Sequence, residues 1–250
     1  LGPEATGVLP VCIGSATKVA DMLTLSDKCY RAELVLGMTT DTQDADGEVL
    51  TECEVTCSED EIRQAIMSFV GEIEQIPPMY SAIKQNGKKL YELARKGIEV
   101  ERKSRKVTIN SIDILEINGE RVTIDVSCSK GTYIRSLCED IAKRLNTVGY
   151  MQDLERSRVG KFDIKDSITI EELEQNIEDS EFINQHFITI ENYFKDKESI
   201  KLDEKRLSLF LNGVKLTQKF PDGVYRIYCE NKFIGTGIIK ENLLKRDVII

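Results

Sequence analysis

Apolar and polar positions alternate in two rhythms along this chain, and the changes of rhythm mark its elements. CYRAELVLGM (29–38) alternates with period two and predicts a strand with Tyr30 near its start. Residues 58–73 carry Ile62, Ile66 and Phe69 at helical spacing, and Ser58 with Glu61 forms a capping box at their start. Pro77-Pro78 stops that element; MYSAIKQ (79–85) follows as an extended piece, and 87–98 reads as a short helix with Leu90, Leu93 and Ala94 inward. VTINSIDILEI and ERVTIDVSCS alternate around Asn118-Gly119, a strong hairpin signal. After a turn at Lys130-Gly131, residues 134–145 place Ile134, Leu137, Cys138, Ile141 and Leu145 on one helical face.

The ends of the chain differ in texture. Residues 11–23 read as a short apolar strand or turn and then a helix, with Ser15 or Thr17 as N-cap. Beyond Asp166 a helix (168–179) leads into an acidic, less regular stretch to about Ser199. The last fifty or so residues contain a short helix ending at Asn212-Gly213, then strand alternation with a turn at Glu230-Asn231. They predict a small, separate, mostly β module.

At 250 residues the chain can bury a sizeable core, and no apolar run approaches the roughly 18 residues that span a bilayer. Seven scattered cysteines suit reduced thiols in a cytoplasm, the expected compartment, better than a disulfide framework. Cys53 and Cys57 stand four apart with no second Cys/His pair nearby, so no metal site is expected. DADG (44–47) looks like part of a calcium loop, but Thr42 and Cys53 would fall on its first and last ligands, and the stretch reads as a loop. The single histidine, His186, receives no role.

Net charge is −9, which argues against a nucleic-acid partner until its distribution is considered. Between Lys84 and Lys106 nine basic side chains face three acidic ones, a local +6 that leaves −15 for the rest. A basic island in an acidic body is compatible with phosphate contact, and equally with a solvated helical face.

The opening LGPEATGVLPVCIGSATKVAD resembles the bacterial tRNA pseudouridine-55 synthases of the TruB family, whose hallmark runs GTLDPxATGVLP. SDKCYRAELVLGMTTDTQDADGE, PPMYSAIKQNGKKLYELARKGIEVER, CSKGTYIRSLCEDIAKRL and DLERSRVGKF resemble further blocks, in family order across about residues 1–165. Taken singly, Tyr30 reads as a half-buried strand aromatic, Arg135 as a surface ion-pair partner and Tyr133 as core. Only the combination points to a site.

The resemblance implies an α+β catalytic domain over 1–197, a twisted mixed β-sheet flanked by helices, lacking the family's N-terminal part. A PUA-like RNA-binding β domain is expected over 198–250. It implies isomerisation of uridine 55 in the T loop of tRNA, without metal or cofactor, by a monomer needing no obligate protein partner and no membrane. In the family an Asp precedes the Pro of the hallmark and acts as nucleophile; here that position is Gly2. The family's active-site Tyr falls on Tyr30, a second Tyr and an Arg on Tyr133 and Arg135, and a pocket Leu on Leu154. Tyr30 offers a stacking face and a phenol near the exchanging C5 proton, and Arg135 a partner for a buried carboxylate. Lys84, Lys88, Lys89 and Lys130 are the expected phosphate contacts. Glycine cannot form the covalent intermediate, so the chain with Gly2 is expected to be inactive, or to serve as a non-catalytic tRNA-binding, remodelling module.

Overall fold

The computed structural model describes residues 5–250, so Gly2 lies outside the described residues. The chain divides into two compact units, residues 1–10 with 24–167, and residues 11–23 with 168–250. Ile190 and Phe194 pack with Val19, Phe233 and Val248 in a cluster of the second unit.

In the first unit six strands form one sheet: β1 (Thr6–Gly7), β2 (Lys28–Leu36), β3 (Gly71–Gln75), β4 (Arg105–Asn118), β5 (Arg121–Cys128) and β6 (Gly149–Val159). Their spatial order is β1-β6-β2-β5-β4-β3, with Phe162–Asp163 also paired to β6. Only β1 runs parallel to its neighbour, which makes the sheet mixed. Gly7 explains how that edge closes. Its φ is +105°, and a Cβ there would sit 2.2 Å from the carbonyl oxygen of Arg156, so a side chain would push β1 off β6.

Two helices cover one sheet face, α1 (Glu59–Met67) and α2 (Ile134–Arg144). Ile62 and Ile66 of α1, and Ile134, Leu137, Cys138 and Ile141 of α2, share a core with Leu34, Leu36, Val122, Ile124 and Val126. Period-two alternation aims those strand residues inward, and helical spacing does the same for the helices. At the start of α1, Ser58 Oγ accepts from the Glu61 amide at 3.3 Å while a Glu61 carboxylate oxygen accepts from the Ser58 amide at 2.8 Å, a capping box.

Three local expectations are corrected. The β4–β5 turn is Gly119-Glu120, because Asn118 still pairs with Arg121; Gly119, at φ +60°, takes the first central position. Lys84–Gln85 and Lys88–Lys89 form a second hairpin around Asn86-Gly87, both at positive φ, and the helix starts only at Leu90. Residues Gly14–Val19 form a 3₁₀ turn without a side-chain cap; the Thr17 hydroxyl instead donates back to the Gly14 carbonyl at 2.9 Å.

The second unit holds β7 (Ser199–Leu202), β8 (Leu216–Thr217), β9 (Gly223–Cys229), β10 (Lys232–Lys240) and β11 (Leu243–Ile249), ordered β7-β9-β10-β11-β8. Glu230-Asn231 makes the β9–β10 turn, and Phe210 of the helix Glu204–Leu211 is buried against Ile227, Ile239 and Leu244. Among the described residues, no helix is long and apolar enough to cross a membrane.

Candidate active site

Tyr30 belongs to the same row of β2 as Ala32 and Leu34, the row that faces the core. Beyond Ala32 that row meets the N-terminal end of α2, where the chain passes through Tyr133 and Ile134 to Arg135. There a cavity of about 270 Å³ opens, lined among others by Ala5, Tyr30, Asp44, Tyr80, Ser81, Tyr133, Arg135 and Leu154. That is just under the roughly 300–1,000 Å³ of small-molecule pockets, and large enough to admit a nucleobase.

Register explains why β6 supplies the opposite wall. Leu154 stands beside Ala32 and Arg156 beside Tyr30, so Leu154 and Arg156 project on the face Tyr30 uses. Leu154 is buried and Tyr30 half-buried. Burial raises the Tyr30 phenol above its ordinary value of 10.0; the positive charge of the neighbouring Arg156 guanidinium pulls the other way without overcoming burial. The phenol therefore stays protonated near neutrality, able to donate a hydrogen bond.

Arg135 is turned inward, its side chain 16% exposed. One terminal nitrogen donates to Asp44 Oδ2 at 2.9 Å and to the Thr42 carbonyl at 3.3 Å; the other donates to the Tyr80 carbonyl at 2.7 Å. Asp44 is 14% exposed, and its other oxygen accepts from the Thr42 hydroxyl at 2.5 Å and the Asp46 amide at 3.3 Å. Arg135 thus has a carboxylate partner inside the described residues, one that sequence reasoning passed over as part of a failed calcium loop. A cation in the first turn of a helix meets the positive end of the helix dipole, and Asp44 offsets that cost.

The loop carrying Asp44 is built into the fold. The Gln43 carbonyl accepts from the Met151 amide at 3.1 Å, and the Gln43 side-chain amide donates to the Glu139 carboxylate on α2. Gly47 has no room for a side chain: a Cβ would sit 2.4 Å from both Asp41 Oδ1 and Thr42 Oγ1. Gln75, only 2% exposed, was likewise unmarked in the sequence. Its side chain donates to the Tyr133 carbonyl at 3.0 Å and accepts from the Tyr133 amide at 2.8 Å.

The structure brings Tyr30, Tyr133, Arg135 and Leu154 onto one cavity. It does not bring the four lysines there. Lys84 and Lys88 are exposed on their small hairpin, Lys89 reaches the Tyr91 hydroxyl at 3.2 Å, and Lys130 is exposed before α2. All seven cysteines are free, and among the described residues no group of three or more His, Cys, Asp or Glu side chains is placed to hold a metal ion.

Residues 1–134 match the family described as TruB family pseudouridylate synthase, N-terminal domain. The chain belongs to the TruB family. Residues 135–195 of this TruB-family chain match the tRNA pseudouridylate synthase B C-terminal domain, and 199–246 match Pseudouridine synthase II TruB, C-terminal. It is 48% identical over 248 residues to tRNA pseudouridine synthase B of Clostridium kluyveri, covering 96% of this chain and 84% of that one. Identity to the protein of the same name from Alkaliphilus oremlandii is 46% over 254 residues, covering 96% of this chain and 82% of that one. Among solved structures, an H/ACA RNP bound to a substrate RNA containing 2'-deoxyuridine superposes with a TM-score of 0.68 at 21% identity. That match covers 100% of this chain and 74% of the other. A Cbf5-Nop10-Gar1 complex superposes with a TM-score of 0.67 at 24% identity, covering 95% and 67%. Both are likenesses of fold.

Proposed function

We propose that this chain is a tRNA pseudouridine synthase scaffold that receives the uridine at position 55 of the T loop in the cavity between β2, β6 and α2. The observation carrying this reading is the convergence of Tyr30, Tyr133, Leu154 and Arg135 on one base-sized cavity in a TruB-family chain. The relatives' name, tRNA pseudouridine synthase B, supports tRNA as the partner. In this reading the exposed lysines Lys84, Lys88, Lys89 and Lys130 contact phosphates, and the C-terminal β unit serves as a PUA-like RNA-binding module. The protein works as a monomer, with no cofactor and no obligate protein partner.

The reaction is an isomerisation: the C1′–N1 bond breaks, C1′ joins C5, the C5 proton leaves to solvent and N1 gains a proton. Tyr30 provides the face on which an extruded base stacks and a neutral phenol within the pocket. Tyr133 and Leu154 exclude water from the base. Arg135, anchored by Asp44, fixes positive charge where a nucleophilic carboxylate must remain ionised.

Gly2 supplies no such carboxylate. Asp44 does not substitute, since Arg135, Thr42 and the Asp46 amide already engage both its oxygens. The chain as it stands therefore binds the T arm without turning uridine over, because losing a covalent nucleophile costs many orders of magnitude in rate. Tritium release from C5-labelled tRNA tests this: none from the chain with Gly2, and rescue by Gly2→Asp. Family-like release with Gly2 in place would overturn the inactivity. Tight tRNA binding without product from Gly2→Asp would favour the non-catalytic remodelling module.

A further inference from the structure

Arg156 stands one step beyond Leu154 in the β6 row that walls the cavity, beside Tyr30 of β2. Backbone groups, not a carboxylate, hold it. The Val8 amide donates to the Arg156 carbonyl at 2.8 Å, and Arg156 Nε donates to the Val8 carbonyl at 2.8 Å. Val8 is buried, so this clasp is fixed to the body of the unit. Among the described residues, no carboxylate comes within ion-pair distance of Arg156. Its charge has no opposite partner, although its two terminal nitrogens carry four N–H donors.

Two more cations share the place. Lys28 lies in the same β2 row as Tyr30, and its amine donates to the Thr24 and Ser26 carbonyls at 2.6 and 2.5 Å. Lys130 is exposed before α2. Burial holds the Lys28 amine below its ordinary 10.5, and repulsion from Arg156 and Lys130 adds to this against the pull of Cys128 and Asp27. Two cations near enough to Lys28 to repel it, in a chain of net charge −9, are a cost in the empty protein. An anion among them reverses the sign of that cost. Position selects the anion: Leu154 to Arg156 is two strand residues, about 7 Å, and a nucleotide spans a like distance from base to phosphate.

We infer that Arg156, with Lys28 and Lys130, forms a subsite for a phosphodiester flanking the nucleotide whose base enters the cavity. This rests on the reading that a uridine of the T arm occupies the cavity, and it adds where that nucleotide's backbone is gripped. A guanidinium meets a phosphate through paired donors, so the contact also sets which nucleotide of the strand faces the cavity.

The test is a cycle between Arg156→Gln and T stem-loop RNAs with one phosphate beside the target replaced by an uncharged methylphosphonate, 5′ in one RNA and 3′ in another. Glutamine keeps an N–H donor at the position of Nε for the Val8 carbonyl and removes the charge. Against the all-phosphate RNA the variant is expected to bind about tenfold more weakly, with the slope of log affinity against log salt lowered by about 0.7. Against one of the two methylphosphonate RNAs, variant and wild type should bind alike, because the partner is already gone. A side chain that only supports the fold weakens binding of all three RNAs equally, and that result overturns the subsite. Should Arg156→Gln unfold below the assay temperature, Lys130→Gln at the exposed turn enters the same cycle with the same two outcomes. An RNA with an abasic target separates this inference from the reading beneath it. A wild-type chain that fails to distinguish uridine from the abasic site overturns occupancy of the cavity, and the flanking phosphate with it. Equal weakening with that discrimination intact overturns the phosphate subsite alone.

Discussion

Gln75 holds Tyr133 by both of its backbone groups, across 58 positions of sequence: the Gln75 amide donates to the Tyr133 carbonyl and its oxygen accepts the Tyr133 N–H. Tyr133 is the residue from which α2 starts, two positions before Arg135. A side chain at the end of an edge strand therefore sets where the helix begins and which way the pocket tyrosine and arginine are carried.

Replacing Gln75 tests that coupling. Gln75→Met keeps the volume and leaves a Tyr133 N–H unpaired, at a cost of about 1–3 kcal/mol. Gln75→Glu retains an acceptor for that N–H but buries a carboxylate against the Tyr133 carbonyl, so at neutral pH it should be no more stable than Gln75→Met in urea melts. In a Gly2→Asp background both variants should lower the single-turnover rate more than tRNA affinity.

Asp44 gives a second measurement. Removing one partner of a buried ion pair strands the other, and Asp44→Ala should cost about 3 kcal/mol, the low end for such pairs because both side chains keep some exposure. Asp44→Asn retains the shape and an acceptor, so it should cost less; the denaturation midpoints rank the two.

Alkaline pH probes the core. Burial pushes the Cys128 thiol from 9.0 up to about 11 and the Cys138 thiol up to about 12. Between pH 9 and these values the folded chain keeps protons the unfolded chain has lost, so stability falls as pH rises. For Cys128 the full loss is about 2–3 kcal/mol, and Cys128→Ala should flatten the slope of stability between pH 9 and 11. At pH 8 a thiol reagent should modify exposed Cys53 well before buried Cys128, Cys138 or Cys229.

Salt dependence probes the basic hairpin. If Lys88 and Lys89 each neutralise a phosphate, replacing both with Glu weakens tRNA binding and lowers the slope of log affinity against log salt by about 1.5 to 2. An unchanged slope would remove these two lysines from the interface.

Much of this arrangement can be read in the sequence where one residue's neighbours decide its state. Val122, Ile124, Val126 and Cys128 alternate in sequence and all face the core, and Ser58 with Glu61 closes its own cap. The reading failed where two signals compete or partners are distant. Asn86-Gly87 and Asn118-Gly119 carry the same dipeptide, yet only the first forms the central pair of a turn; cross-strand pairing shifts the second by one residue. Tyr30, Tyr133 and Leu154 emerge only from the joined motifs. Asp44 sat in a polar loop whose partner lies 91 positions away, and nothing near Gln75 announces a partner 58 positions on. Long-range polar pairing leaves no periodic trace.

The short span from Asp41 to Glu48 has one further consequence. The Glu48 amide donates to Asp41, the Asp46 amide to Asp44, and Gly47 is packed so closely that not even a methyl group fits. A segment so tied to itself surrenders much of its conformational freedom when the protein folds, before any ligand is bound. In the proposed reading, the cavity mouth on that side is thus pre-organised, and the cost of fitting falls on the incoming nucleotide.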